Sequence, residues 1–184
     1  MKFYCQLDYK HIPYVSPTSL NGNIADNGCG VCCASMIIEE IKGINFPPEV
    51  CAIFSKQSGA REGFGTDMRI LAPAISKEFD IKVKPTLDTK EVISFLENKQ
   101  GYVIANTIGD REDWIGVFSD GRHYIVLTSL EDNTVGVLDP LYREGRYDIE
   151  GRKGKVTMDG YVAYADFSVV ENDCVGKPYY LFYK

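Results

Sequence analysis

The pattern that most narrows the folds open to this chain is a change of character near residue 100. Before it, apolar residues recur at helical spacing. Val31, Ala34, Ile38 and Ile41 follow Cys29 with no proline among them, and Gly43 stands where a C-cap glycine belongs, so a helix is expected from Cys29 to about Ile41. Pro47 and Pro48 suit the opening of a second helix to about Gln57. Thr66 can cap a third from Asp67 to about Phe79, with Pro73 predicting a kink or break. Asp88 and Glu91 form a capping-box pattern ahead of Val92, Ile93, Phe95 and Leu96, and Gly101 closes that helix. Afterwards β-branched and aromatic runs take over, from Tyr102 to Ile108, His123 to Leu130, Thr134 to Asp139, Tyr161 to Phe167 and Tyr179 to Tyr183. Helices first and strands afterwards argue for an α+β fold with an antiparallel sheet, not an alternating, doubly wound one.

The 184 residues fit one domain at roughly 150 residues per domain. Within it the helical lobe is expected over about 27–100 and the sheet lobe over about 101–184. A chain that is 45% hydrophobic and 25% charged is not disordered. The net charge of −6, with no cationic run, argues against a nucleic-acid partner. No apolar stretch approaches the ~20 residues of a membrane helix, so membrane insertion is not expected. Polar residues and Asp8 occupy the place of a signal peptide's apolar segment, which points to the cytoplasm. The six cysteines are too sparse for a disulfide scaffold and are expected as thiols. Residues 1–28, rich in Pro, Asn, Gly and Ser, read as a long loop or arm.

Cys29, between Gly28 and Gly30 at the opening of a helix, stands where backbone N–H groups and the helix dipole stabilise a thiolate. The same groups can hold an oxyanion beside the sulfur. Against this stands the plain reading of Cys29 as one small residue in a packed segment, which is how Cys32 and Cys33 read one turn on. Cys29 and Cys32 also form a C-x-x-C pair, but a redox dithiol should follow a strand and this one follows a loop. A zinc site needs a second ligand pair, and Cys5, Cys51 and Cys174 are isolated.

Two histidines leave a short search for a general base. His11 lies in the Pro-rich arm; His123 opens one strand and Asp139 closes the next, with a turn at Glu131-Asp132-Asn133-Thr134 between them. The two side chains share a face only if the loop is bulged or has three residues; a strict two-residue turn at Asp132-Asn133 would put them on opposite faces. Sharing a face, Asp139 can orient His123, and His123 can take a proton from a thiol. Otherwise they are a strand histidine and a turn carboxylate.

With Cys29, His123 and Asp139 in this order, the chain resembles the papain-like cysteine peptidases, in the branch of bacteriocin-leader-processing (double-glycine) peptidases and their stand-alone forms. The matching stretches run from Ile24 to Gly30, from Gly121 to Leu127 and from Val137 to Pro140, with Gly63-Phe64-Gly65-Thr66 similar to the family's Gly-Thr element. The resemblance covers roughly residues 4 to 140; Val31 and Cys32 stand where relatives often have Pro and a small polar residue. It implies a helical lobe bearing the nucleophile on an antiparallel sheet bearing His and Asp. It also implies an oxyanion-hole side chain upstream of the cysteine, for which Gln6 is the candidate and Asn23, at the papain-type spacing, the alternative.

The chemistry these residues predict is that of a cysteine peptidase or amide hydrolase. Cys29 attacks a carbonyl, His123 acts as base and then acid, Asp139 orients His123, and Gln6 or Asn23 assists the oxyanion. The substrate is then a peptide or protein, and no metal or organic cofactor is required. The same triad could transfer the acyl group to an amine. A peptide-binding module without turnover and the Cys29-Cys32 dithiol are the remaining readings.

Overall fold

The structure is a computed structural model that describes residues 1–63 and 65–184. Phe64, part of the Gly-Thr element, lies outside the described residues. The chain divides into two compact units, Met1–Val83 with Lys184, and Lys84–Tyr183.

The first unit is helical. A 3₁₀ turn at Gln6–Tyr9 and the short helix α1 (Ile24–Asn27) precede α2 (Cys29–Lys42) and α3 (Pro48–Gln57). A hairpin of β1 (Arg61–Glu62) and β2 (Gly65–Thr66) leads into α4 (Met68–Phe79). Helix α2 stops as its sequence dictates: Gly43 adopts the left-handed conformation (φ 66°) and its N–H bonds the carbonyl of Glu39. Helix α4 contains Pro73 without a break, and its cap is Asp67 rather than Thr66. The Asp67 carboxylate accepts from the Arg69 N–H at 2.9 Å, while Thr66 lies in β2, its hydroxyl 2.8 Å from that of Tyr14. Val31, Met36, Ile37, Ile38, Met68, Leu71 and Ile75 are fully buried and form the heart of this unit.

Residues 1–28 are the long loop expected, interrupted by the 3₁₀ turn and α1 and anchored to the helices by buried side chains. Tyr14 is wholly buried, its hydroxyl within 2.7 Å of Ser55 Oγ on α3. The Arg61 guanidinium lies 4.6 Å over its ring, and Arg61 Nε donates to its carbonyl at 2.8 Å. Burial pushes the Tyr14 phenol up to about 12.

The sheet has the order β3-β9-β4-β5-β6-β8-β7. Its strands are β3 (Lys82–Thr86), β4 (Tyr102–Thr107), β5 (His123–Glu131), β6 (Thr134–Leu138), β7 (Thr157–Asp159), β8 (Val162–Asp166) and β9 (Tyr179–Tyr183). The β9–β4, β4–β5, β5–β6, β6–β8 and β8–β7 pairs are all antiparallel. Helix α5 (Thr89–Glu97) covers one face, with Val92, Phe95 and Leu96 in the same apolar cluster as Val103, Ile125, Leu127 and Leu181. The sheet unit therefore begins at Lys84, ahead of residue 101, because α5 belongs to the sheet's core.

Helix α5 also departs from the capping-box pattern. Asp88 caps Lys90 N–H at 2.9 Å, but Glu91 pairs with Lys84 on β3 and does not fold back. The helix ends at Glu97 and Lys99 makes the left-handed turn (φ 52°), short of Gly101. The run expected to stay extended through Phe167 stops at Asp166, which caps helix α6 (Phe167–Asp173) through Ser168 N–H.

Candidate active site

Cys29 is the first residue of a 14-residue helix, so it sits at the positive end of the helix dipole, where the first-turn amides have no partner within the helix. The flanking glycines are there for close packing. A Cβ on Gly28 would lie 2.5 Å from Ile24 Cγ2, and one on Gly30 would lie 2.8 Å from Thr66 Cβ. Helix α1 and strand β2 thus crowd both sides of the cysteine, which itself keeps intermediate exposure while the other five cysteines are buried. Burial drives the Cys32 thiol well above its ordinary range and pushes that of Cys51 up to about 12.

The two oxyanion candidates differ in what holds them. Asn23 is the N-cap of α1: its Oδ1 accepts from Asp26 N–H at 3.0 Å and its Nδ2 donates to Asp26 Oδ2 at 2.7 Å. Both ends of that amide are engaged at the surface by one neighbour. Gln6 is buried, and its Nε2 donates to the Ala25 carbonyl at 2.6 Å. A carbonyl can only accept, so this bond fixes which end of the amide is nitrogen, and an –NH₂ group retains a second hydrogen to donate. The buried Gln6 Oε1 has no hydrogen-bond partner among the described residues.

His123 and Asp139 lie in the second unit and meet. His123 Nε2 is 2.7 Å from Asp139 Oδ1, and both side chains are buried. The turn between their strands is the strict two-residue kind, with Asp132 and Asn133 both at positive φ (47° and 65°), and Glu131 pairs with Thr134. That turn alone would separate the two side chains. What reunites them is a β-bulge: Ser129 pairs with Gly136 and Leu127 with Val137, so Thr128 is the extra residue that shifts the register. Past it, Val126 faces Leu138, and one step further places Asp139 on the His123 side.

The Asp139 carboxylate is saturated. Oδ1 also accepts from Leu141 N–H at 2.8 Å, and Oδ2 accepts from Arg146 Nε at 2.8 Å and from the Tyr147 hydroxyl at 2.7 Å. Burial by itself would raise this carboxyl, but His123, Arg146 and Tyr147 hold it down at about 2. The Tyr147 phenol is pushed far up by burial and by the Asp139 charge. Arg146 and Tyr147 escaped the sequence reading because they stand in an irregular stretch with no motif or periodicity. Among the described residues no group of His, Cys, Asp and Glu is arranged to hold a metal ion, and no helix is long and apolar enough to cross a membrane.

The fold is similar to that of C39 peptidases of known structure. Two crystal structures carry the assignment. The peptidase domain of Streptococcus ComA, a bifunctional ABC transporter of a quorum-sensing pathway, matches with a TM-score of 0.56 at 13% identity, over 84% of this chain and 90% of that one. A C39-like peptidase from Bacillus anthracis matches with a TM-score of 0.59 at 16% identity, over 86% of this chain and 90% of that one. No protein-family model matches the sequence, and no curated protein is significantly similar to it.

Proposed function

We propose that the protein is a cysteine peptidase or amide hydrolase acting on a peptide substrate. The observation that carries this reading is the buried 2.7 Å contact of His123 Nε2 with Asp139 Oδ1. With Nε2 engaged by a carboxylate, the proton-exchanging nitrogen is Nδ1, and the carboxylate stabilises the imidazolium formed when His123 accepts the thiol proton. Cys29 is the nucleophile, supported by its place at the head of α2 and by its exposure, which no other cysteine shares.

Attack of the Cys29 sulfur on the scissile carbonyl puts a negative charge on the carbonyl oxygen. The Cys29 backbone N–H and the second Gln6 Nε2 hydrogen stabilise it. His123 then protonates the leaving amine and activates the water that releases the acyl group from sulfur. Gln6 is preferred to Asn23 because Asp26 engages both ends of the Asn23 amide. The redox-dithiol reading loses ground because Cys32 is buried and its thiol is hard to ionise.

The test is hydrolysis of a mixed peptide library, followed by mass spectrometry, with wild type, Cys29→Ala and His123→Ala. Cleavage by the wild type alone supports the proposal; unchanged cleavage by Cys29→Ala overturns it. An added amine nucleophile reveals acyl transfer as a second product.

A further inference from the structure

We propose that Arg146 is a positioning residue that offsets the charge of Asp139, so that Asp139 can fix the orientation of His123 without holding it as a permanent imidazolium. The inference deepens the reading of His123 as the general base and rests on it. It starts from charge. A buried carboxylate 2.7 Å from an imidazole, with no other cation near, forms a closed ion pair in which the histidine keeps its proton and is a poor base.

Here a third charge intervenes. The charged and titratable groups facing the Asp139 carboxylate are His123 from β5 and Arg146 and Tyr147 from the segment after β6. Arg146 is always cationic and shares Oδ2 with the Tyr147 hydroxyl, leaving Oδ1 to His123 and the Leu141 N–H. Its charge balances the carboxylate whatever the state of His123, so a proton on the imidazole makes the cluster net positive. That lowers the cost of giving the proton up.

Arg146 is held for this task from a second side. Its Nη2 donates to the Phe118 carbonyl, in the loop that leads into His123. One guanidinium therefore ties the carboxylate to the approach of the strand that carries its histidine. The hold is rigid: the Phe118 N–H is itself bonded at 2.8 Å to the buried Asp173 on α6, and Phe118 and Tyr147 pack edge-on with ring centroids 5.9 Å apart.

The experiment is NMR titration of the His123 ring in a Cys29→Ala background, in which the nucleophile cannot contribute. The chain's other histidine, His11, is assigned by substitution. Arg146→Gln is expected to move the His123 midpoint upward by about one unit or more. Tyr147→Phe, which removes a hydrogen bond and no charge, moves it by less than half as much, and Arg146→Lys restores most of the wild-type value. An unchanged or lowered midpoint in Arg146→Gln overturns the proposal. Should that variant not fold, the same comparison is made in Asp139→Asn, where removing Arg146 leaves no unpaired charge. The midpoint must again rise, and its failure to do so overturns the proposal equally. The titration needs no turnover, so a wild type that cleaves nothing defeats the peptidase reading and leaves this test intact.

Discussion

A Cβ on Gly136 would lie 2.6 Å from the Ser129 hydroxyl and 2.8 Å from that of Thr128. Gly136 is thus the residue that admits the bulge, and Thr128 Oγ1 secures it by donating to the Gly136 carbonyl at 3.1 Å. Gly136→Ala should destabilise the protein by about 1–3 kcal/mol through overpacking. Denaturant melts measure that cost. Deleting Thr128 should be worse for the site than for the sheet: strands can re-pair in the regular register, but His123 and Asp139 then face opposite sides. Loss of His123-dependent thiol reactivity with a retained β-sheet spectrum is the expected outcome.

Reactivity should single out Cys29. In the native protein an alkylating agent should modify that thiol and spare the other five, which are buried. All six should react once the chain is unfolded. At pH 7, His123→Ala should slow Cys29 alkylation by about tenfold or more, since the thiolate loses its proton acceptor. Mass spectrometry of the modified peptides over a pH series reads both results.

Asp139 sets an acid limit on stability. Its carboxyl falls from an ordinary 3.8 to about 2 in the folded protein, so the unfolded chain binds the proton more readily. The resulting stabilisation is complete above the unfolded value and is lost as pH falls toward about 2. Its size is about 2 kcal/mol. Melts between pH 5 and 2, compared with Asp139→Asn, should show a smaller acid-dependent loss in the variant.

Asp173 should matter as much for folding as Asp139 does for the site. Fully buried at the end of α6, it accepts from Trp114 Nε1 at 2.6 Å, Val117 N–H at 3.0 Å and Phe118 N–H at 2.8 Å. Asp173→Asn puts an NH₂ group among those donors and should cost about 2–4 kcal/mol. Trp114 is the chain's one tryptophan, so its fluorescence reports directly whether this loop has loosened.

What could be read in advance was whatever a local stretch of chain decides. Helix α2 with its Gly43 cap, α3 behind Pro47, and β9 follow from periodicity and punctuation within a few residues. Cys29, His123 and Asp139 stood out because the glycines beside the cysteine, the scarcity of histidine and the proline after the aspartate are all local signals. Tertiary competition decided the rest. Thr66 loses the cap of α4 to Asp67 because its hydroxyl has a buried partner in Tyr14, fifty-odd residues away in sequence. Pro85 obscured β3, which tolerates it as an edge strand. Nothing along β5 marks Thr128 as the unpaired residue, since a bulge exists only in relation to the opposite strand. Arg146 and Tyr147 owe their order to the carboxylate they hold, which no reading of their own neighbourhood could show.

Strand β9 is the latest in the chain, yet it lies inside the sheet, between β3 and β4. Synthesis delivers β4 first, and at roughly 5–20 residues per second the strand that flanks it follows only after several seconds. During that interval β4, whose Val103, Ile104 and Ala105 are fully buried in the finished protein, presents an open row of amides and carbonyls beside apolar side chains. A neighbouring nascent chain offers the same pairing partner that β9 will. The edge that β9 closes is therefore a hazard of the growing chain alone: it exists only before the last strand docks, and the finished sheet shows no trace of it.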